Sequence, residues 1–300
     1  MTLQIKPGTY VAAVSGGVDS MVLLDMLAHQ PGLQIIVAHF NHGTRTDNAE
    51  DAALVATAAA KYGLPYIYEE GKLGADISEL AAREARYDFL QHVQKMQNAQ
   101  GIILAHHEDD VLETMLLNLI RGTGRKGLSS LQSHAHRLRP LLHMTKKEIL
   151  EYAKEHQIVW REDSTNQDMK YKRNYIRHAV MSGITEAQRQ KLRTIYKQSQ
   201  SVNAALDEEL TLVLDTIVGD EGMERQSFIQ LPHAISREVM ATWLREQHVN
   251  NLDRKQIERL VTAAKTAQPG TIYDVDKRKI MNISRNFLEI TSRYSRNTTV

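Results

Sequence analysis

The chain has 300 residues, 42% hydrophobic and 24% charged, which is ordinary globular usage and excludes bulk disorder or a fibrous repeat. It contains no cysteine, so disulfides, thiolate zinc sites, iron–sulfur clusters and a cysteine nucleophile are excluded together. The net charge of +1 names no partner, no apolar run is long enough to span a membrane, and Met1 to Thr9 carries no signal-peptide pattern, so the cytoplasm is the expected compartment.

Residues 9–14 form a short apolar run rich in β-formers and read as a buried strand. Residues 18–29 carry apolar positions at helical spacing and stop before Pro31-Gly32. Residues 33–39, 64–68 and 101–105 read as further strands. Residues 47–62, 77–97 and 108–120 read as the helices between and after them, with Gly63 ending the first of these. Strands alternating with helices predict a parallel sheet covered on both faces. Residues 121–145 read as a long basic loop, and 145–156 as a helix opened by a capping box of Thr145 and Glu148. Beyond about residue 185 the alternation ceases. Helices are expected over 186–218, 236–247 and 253–265, and short antiparallel strands over 271–290. The expected division is a first domain over 1–185, a helical linker over 186–210 and a smaller domain over 211–300.

Ser15-Gly16-Gly17-Val18-Asp19-Ser20 joins the first strand to the first helix. Two glycines let the backbone turn tightly, and the free N–H groups of the following helix make a site for an anion. Asp19 would repel a bare phosphate, so its place there implies a cation or a charge-balancing role. No lysine follows as in a Walker loop, and the spacing is not that of a dinucleotide turn. After the fourth strand, His106, Asp110 and Glu113 are spaced four and three apart and share one helical face. If the first and fourth strands are neighbours, that face meets the loop at the switch point of the sheet, where open α/β sheets bind ligands. Polar side chains at a cleft add little to core packing, so neutralising Asp110 or Glu113 is expected to leave the fold intact. Basic residues concentrate in two stretches. One runs from Arg121 through Arg125, Lys126, Arg137 and Arg139 to Lys146 and Lys147 with no acid; the other covers 170–197 with Glu186 as its single acid. Local excess of this kind attracts phosphates.

The loop Ser15 to Ser20 resembles the pyrophosphatase loop of the ATP-pyrophosphatase superfamily, whose members cleave ATP between the α and β phosphates and adenylate a substrate oxygen. The segment His106 to Gly127, with Leu117-Asn118-Leu119-Ile120-Arg121-Gly122-Thr123-Gly124, resembles the tRNA(Ile)-lysidine synthetases. So do His39-Phe40-Asn41-His42-Gly43-Thr44-Arg45, Ala82-Arg83-Glu84-Ala85-Arg86-Tyr87, Arg139-Pro140-Leu141-Leu142, the run from Trp160 through Glu162 and Asp163 to Asn166, and Arg173-Asn174-Tyr175-Ile176-Arg177. Residues 228–290 resemble, more loosely, the first C-terminal domain of that family, which helps bind tRNA. The chain ends before the further C-terminal domain that many members carry, as in a short or truncated member.

The resemblance implies a doubly wound α/β sheet of the adenine-nucleotide alpha-hydrolase type with a second, smaller, mainly helical domain. It implies ATP with Mg2+, free L-lysine and tRNA(Ile) bearing a CAU anticodon. The C2 oxygen of the wobble cytidine is adenylated, pyrophosphate leaves, and the lysine amine expels AMP to give lysidine. Ser15, Gly16, Gly17, Val18, Asp19 and Ser20 become the ATP-binding loop, with Asp19 also the metal ligand. Asp19, His106, Asp110 and Glu113 become the catalytic and lysine-positioning group, and which of the last three is the general base stays open. Arg83, Arg86, Arg121, Arg125, Lys126, Arg173 and Arg177 are the candidate tRNA contacts. A tRNA thiolase of the same superfamily is the alternative, and the absence of cysteine argues against it. A binding module without catalysis is opposed by the intact loop. No membrane partner is expected, and a homodimer is left open.

Overall fold

Alternate residues of the central strands face opposite layers, and this decides the architecture. The computed structural model describes residues 3–43, 48–71, 77–162, 172–249 and 252–293. Its first part alternates β1 (Gly8–Ala13), α1 (Val18–Ala28), β2 (Leu33–Asn41), α2 (Asn48–Lys61), β3 (Tyr66–Glu70), α3 (Glu79–Met96), β4 (Gly101–Ile103) and α4 (Glu108–Ile120). On β1 and β2, Tyr10, Ala12, Ile35 and Val37 join Leu23, Leu27, Val55 and Ile149 on one face. Val11, Ile36, Ala38 and Phe40 join Tyr87, Leu90 and Val93 of α3 on the other. Strands apolar at every position are buried on both sides, as parallel sheets require.

The parallel sheet has the order β3-β2-β1-β4-β5, with β5 being Arg137–Leu138. The chain steps outward from β1 through β2 to β3, then crosses back by way of α3 to place β4 on the other side of β1. The carboxyl ends of β1 and β4 therefore flank the switch point, as the sequence expectation required.

The stretch 121–145, expected as loop, holds a 3-10 turn at Arg125–Ser129 and the edge strand β5. β5 accepts from β4 through Ile102 N to His136 O (3.0 Å) and Leu104 N to Leu138 O (2.9 Å). A two-residue strand has too little alternation to be read from sequence. α5 (Lys146–Glu155) opens with the expected capping box: Glu148 N donates to Thr145 Oγ1 (3.2 Å) and Thr145 N donates to Glu148 Oε2 (2.7 Å). α6 (Lys172–Tyr175) runs into one wide π turn, Ile176–Val180, ahead of α7 (Glu186–Ile217).

The contacts divide the chain into Met1–Tyr196 and Lys197–Val300, a boundary that falls inside α7. The second unit comprises β6 (Val218–Gly219), β7 (Gly222–Glu224), α8 (Arg225–Gln230), α9 (His233–Glu246), α10 (Arg254–Thr266), β8 (Thr271–Asp274), β9 (Lys279–Ile283) and β10 (Phe287–Ser292). Its antiparallel sheet has the order β6-β7-β10-β9-β8, so the hairpin β6–β7 adds to the strands expected over 271–290. Trp243, Phe228, Leu260 and Met281 fill its core. Buried Arg225 donates to the carbonyls of Ala264 (3.0 Å) and Ala267 (2.5 Å), covering the carboxyl end of α10, where a cation is favoured. Among the described residues no helix is long and apolar enough to cross a membrane.

Candidate active site

The loop after β1 leaves the start of α1 without a capping side chain. Gly16 sits at φ +93°, a left-handed conformation that side-chain-bearing residues rarely adopt, with Asp51 Cβ 3.6 Å from where its own Cβ would be. α1 starts at Val18 with Gly17 as its N-cap and no capping side chain. The first-turn N–H groups thus keep their capacity for an anion. The Ser20 hydroxyl is turned inward: it donates to Gly17 O (2.9 Å) and accepts from Ser15 N (3.1 Å), closing the loop. His39 donates from Nδ1 to Val14 O (2.8 Å), and burial lowers its pKa, so a neutral ring braces the strand end. Arg161 N donates to Gly16 O (3.1 Å), and its guanidinium pairs with Glu50 and, at 2.8 Å, Asp51. The block beginning at Trp160 therefore braces the loop from behind. Its Asp163 to Asn166 portion, like Thr44 and Arg45, lies outside the described residues.

Asp19, on the first turn of α1, meets two groups that sequence reasoning did not single out. Lys146 Nζ donates to Asp19 Oδ1 at 2.5 Å, and His107 Nε2 lies 3.7 Å from Asp19 Oδ2. His107 is buried, and the same nitrogen lies 3.6 Å from Asp110 Oδ2. It thereby bridges the loop and the acids of α4.

The carboxylates of α4 are held by arginines from 60 or more residues away. Asp110 Oδ2 accepts from His107 N (3.0 Å), capping the helix, while Oδ1 accepts from Arg173 Nη2 (3.0 Å). Burial would push this carboxyl up, but the neighbouring His107 and Arg173 and the backbone hydrogen bond outweigh it and lower it to about 2. Glu113, only 1% exposed, accepts from Arg173 Nε (3.1 Å), Arg177 Nε (2.6 Å) and Arg177 Nη2 (2.9 Å). The π turn carries Arg177, and such turns commonly sit at functional sites. Arg173 and Arg177, expected to touch tRNA, are thus engaged with Asp110 and Glu113. Neutralising Glu113 would leave two guanidinium groups without their buried partner, so a cost to the fold is expected where the sequence reading expected none. The remaining first-turn acids are paired from α7: Glu108 with Arg193 at 2.6 Å and Asp109 with Arg189 at 3.4 Å.

His106 lies just ahead of α4 rather than on it. Its Nδ1 accepts from Arg139 Nε at 3.2 Å. Burial is the largest cause of its depressed pKa, and Arg139, Arg86 and Arg173 add to it against Asp110, leaving the ring neutral with a value near 3.

The other expected tRNA contacts separate into two places. Arg83 and Arg86 lie over the Tyr87 ring at 5.1 and 5.6 Å, joined by Arg137 at 4.7 Å. Burial would raise the phenol, but these charges and that of Arg139 prevail and hold it below its usual value. Arg86 Nε is buried with no hydrogen-bond partner among the described residues. Arg121 is exposed at the end of α4, and Arg125 and Lys126 lie in the 3-10 turn that follows Gly124. Trp160 packs against the core, beyond the end of α5.

A family model described as a PP-loop domain matches residues 3–184. A tRNA(Ile)-lysidine synthase of Nitrosomonas europaea is 29% identical over 288 residues, covering 90% of this chain and 62% of its own. Those of Exiguobacterium sibiricum and Vibrio cholerae are each 33% identical, covering 88% and 83% of this chain and 64% and 59% of their own. The chain therefore spans a little under two thirds of the length of these curated relatives. Among solved structures, the U34-tRNA thiolase NcsA from Methanococcus maripaludis superposes with a TM-score of 0.56 at 16% identity over 66% of this chain and 73% of its own, a likeness of fold.

Proposed function

The chain belongs to the ATP-binding PP-loop family, and from that premise we propose that it joins free L-lysine to C2 of the wobble cytidine of tRNA(Ile) with a CAU anticodon, giving lysidine. The observation that carries this reading is His107, which lies within 3.7 Å of Asp19 on the ATP loop and 3.6 Å of Asp110 on the carboxylate helix. It joins a site for cleaving ATP to a site for handling an amine. The similarity to tRNA(Ile)-lysidine synthases over 83 to 90% of the chain supports the same substrates. The thiolase reading finds no cysteine to carry sulfur.

In the first step the C2 oxygen attacks the α-phosphorus, and the bond from phosphorus to the pyrophosphate oxygen breaks with its electron pair leaving on pyrophosphate. The amides at the start of α1 are placed to stabilise charge on the α-phosphate. Lys146 offsets charge beside Asp19. Asp19 would hold magnesium through Oδ2, since Oδ1 already accepts from Lys146 Nζ. That ion is commonly held by one or two carboxylates together with phosphates, and no cage of three or more acids or histidines occurs among the described residues. Bound there, it would supply charge neutralisation to the departing pyrophosphate.

In the second step the lysine side-chain nitrogen forms a bond to C2, and the C2–O bond breaks with its electrons leaving on AMP. One proton must leave the ammonium before attack and a second after the bond forms, and the carboxylates of Asp110 and Glu113 are the acceptors at hand. Arg173 and Arg177 hold that pair in place rather than tracking the tRNA backbone. Arg83, Arg86, Arg121, Arg125 and Lys126, with the unit Lys197–Val300, are left to contact tRNA. All three substrates are cytoplasmic, and we place the reaction there. Turnover with tRNA should release AMP and pyrophosphate; ADP and inorganic phosphate as primary products would overturn the reading.

A further inference from the structure

We propose that Arg139 is a positioning residue: it holds His106 as a neutral imidazole protonated on Nε2, so that His106 acts in the reaction only as a hydrogen-bond donor. The consequence for proton transfer rests on the lysidine reading; the state of the ring does not.

A guanidinium has five N–H donors and no acceptor. Because Arg139 Nε faces His106 Nδ1 at 3.2 Å, that nitrogen must offer its lone pair, and the single proton of the neutral ring sits on Nε2. Reversing the tautomer would set Nδ1–H against Nε–H.

The donor cannot easily turn away. Arg139 is 7% exposed, its Nη1 donates to Gln132 O, and its own N donates to Ser133 Oγ (3.0 Å). The preceding turn is closed by a reciprocal pair, His134 N to Arg137 O (2.9 Å) and Arg137 N to His134 O (3.0 Å). β4 leads into His106 and β5 leads into Arg139, and the two strands pair in register at Ile103 and Leu138. The sheet itself therefore sets the contact.

The charges around the ring point the same way. Asp110 from α4 favours an imidazolium, while Arg86 from α3, Arg173 from α6 and Arg139 oppose it together with burial. Accepting a proton from lysine would require a free lone pair, and the only one the ring has is committed to Arg139. His106 is thus removed from the three candidates for the general base, which leaves Asp110 and Glu113. Nε2–H is left to donate to the reacting oxygen or phosphate.

The test is a long-range proton–nitrogen correlation spectrum of the histidine rings in the full chain, with His106 assigned by loss of its signals in His106→Gln. From pH 8 down to pH 5 the wild-type ring should keep Nδ1 unprotonated and Nε2 protonated. Protonated Nδ1, or titration near the ordinary value of about 6.5, overturns the proposal. Arg139→Gln supplies a carbonyl that can accept from Nδ1–H, so the ring should become free to titrate. Lysidine formation should then fall about 10²-fold at neutral and higher pH, where Nδ1–H pairs with the glutamine carbonyl and Nε2 has no proton to donate, and recover as the pH falls from about 7 to 5 and the imidazolium regains Nε2–H. Arg139→Lys, which keeps a charged donor, should restore the flat profile. An Arg139→Gln profile parallel to wild type overturns the proposal. Should that variant not fold, the wild-type spectrum decides alone. Should no variant or wild type make lysidine, the functional reading fails while the spectrum still tests the ring.

Discussion

Lys146 Nζ lies 2.5 Å from Asp19 Oδ1, so the first residue of α5 reaches the first turn of α1 and neutralises the carboxylate of the phosphate loop. A cation in the first turn of a helix opposes the helix dipole, at a cost of about 0.3–1 kcal/mol. Lys146 is therefore not there for α5. Its place fits a lysine that grips phosphate oxygens in a loop that has no Walker lysine. Lys146→Met should raise KM for ATP about 10-fold in tRNA-dependent exchange of pyrophosphate into ATP. Both partners are about a third exposed, so the ion pair itself is worth about 0–1 kcal/mol and thermal unfolding should barely move. An unchanged KM would return Lys146 to ordinary surface pairing.

Glu113→Gln removes a buried charge that faces two guanidinium groups. It should abolish most lysidine formation, by about 10²-fold or more, while leaving pyrophosphate exchange with tRNA present. It should also destabilise the fold by about 2 kcal/mol in denaturant unfolding, below the 3–5 of a fully buried pair because Arg173 and Arg177 keep 24% and 33% of their side-chain surface. Loss of both exchange and lysidine would place Glu113 in adenylation instead; near-normal lysidine synthesis would remove it from the site.

Asp110 gives a pH-dependent signature. Its folded pKa, about 2, lies below the ordinary 3.8, so its charge stabilises the fold above about pH 4, and that contribution is lost as the pH falls toward about 2. Asp110→Asn should cost about 2 kcal/mol at pH 7, and the gap from wild type should narrow steadily as the pH falls from about 4 toward 2. A gap that is constant with pH would mean that the carboxylate's charge is not what the arginines hold.

The turn after Gly124 tests RNA contact. Replacing Arg125 and Lys126 with alanine should weaken tRNA binding and flatten its salt dependence by about one unit of slope per lost phosphate contact. ATP binding without tRNA should be unchanged. An unaltered slope would assign both residues to roles within the protein.

The parallel sheet was legible because its strands carry unbroken apolar runs between amphipathic helices. β5 and the β6–β7 hairpin were not, since strands of two or three residues have no period to read. The loop and the His106, Asp110, Glu113 spacing stand out locally. The partners that give these groups their states do not: Arg139 is 33 residues from His106, Arg173 is 60 from Glu113 and Lys146 is 127 from Asp19. Lys146 left a local hint, a lysine where the helix dipole disfavours one, and Arg139 and Arg173 stood in the motifs that carry the resemblance without their partners being readable. The buried state of Glu113 was likewise invisible, because a glutamate at a helix face reads as solvated until the neighbouring chain covers it.

Where lysine ends up tests the proposed reaction most directly. Incubation with ATP, isotopically labelled L-lysine and a tRNA(Ile) transcript with a CAU anticodon, followed by nuclease digestion and nucleoside mass analysis, reads this in one measurement. The expected result is the label joined to the cytidine at the wobble position, in amounts matching the AMP formed. Unmodified cytidine despite ATP cleavage, or a modified cytidine that carries no lysine label, would contradict it.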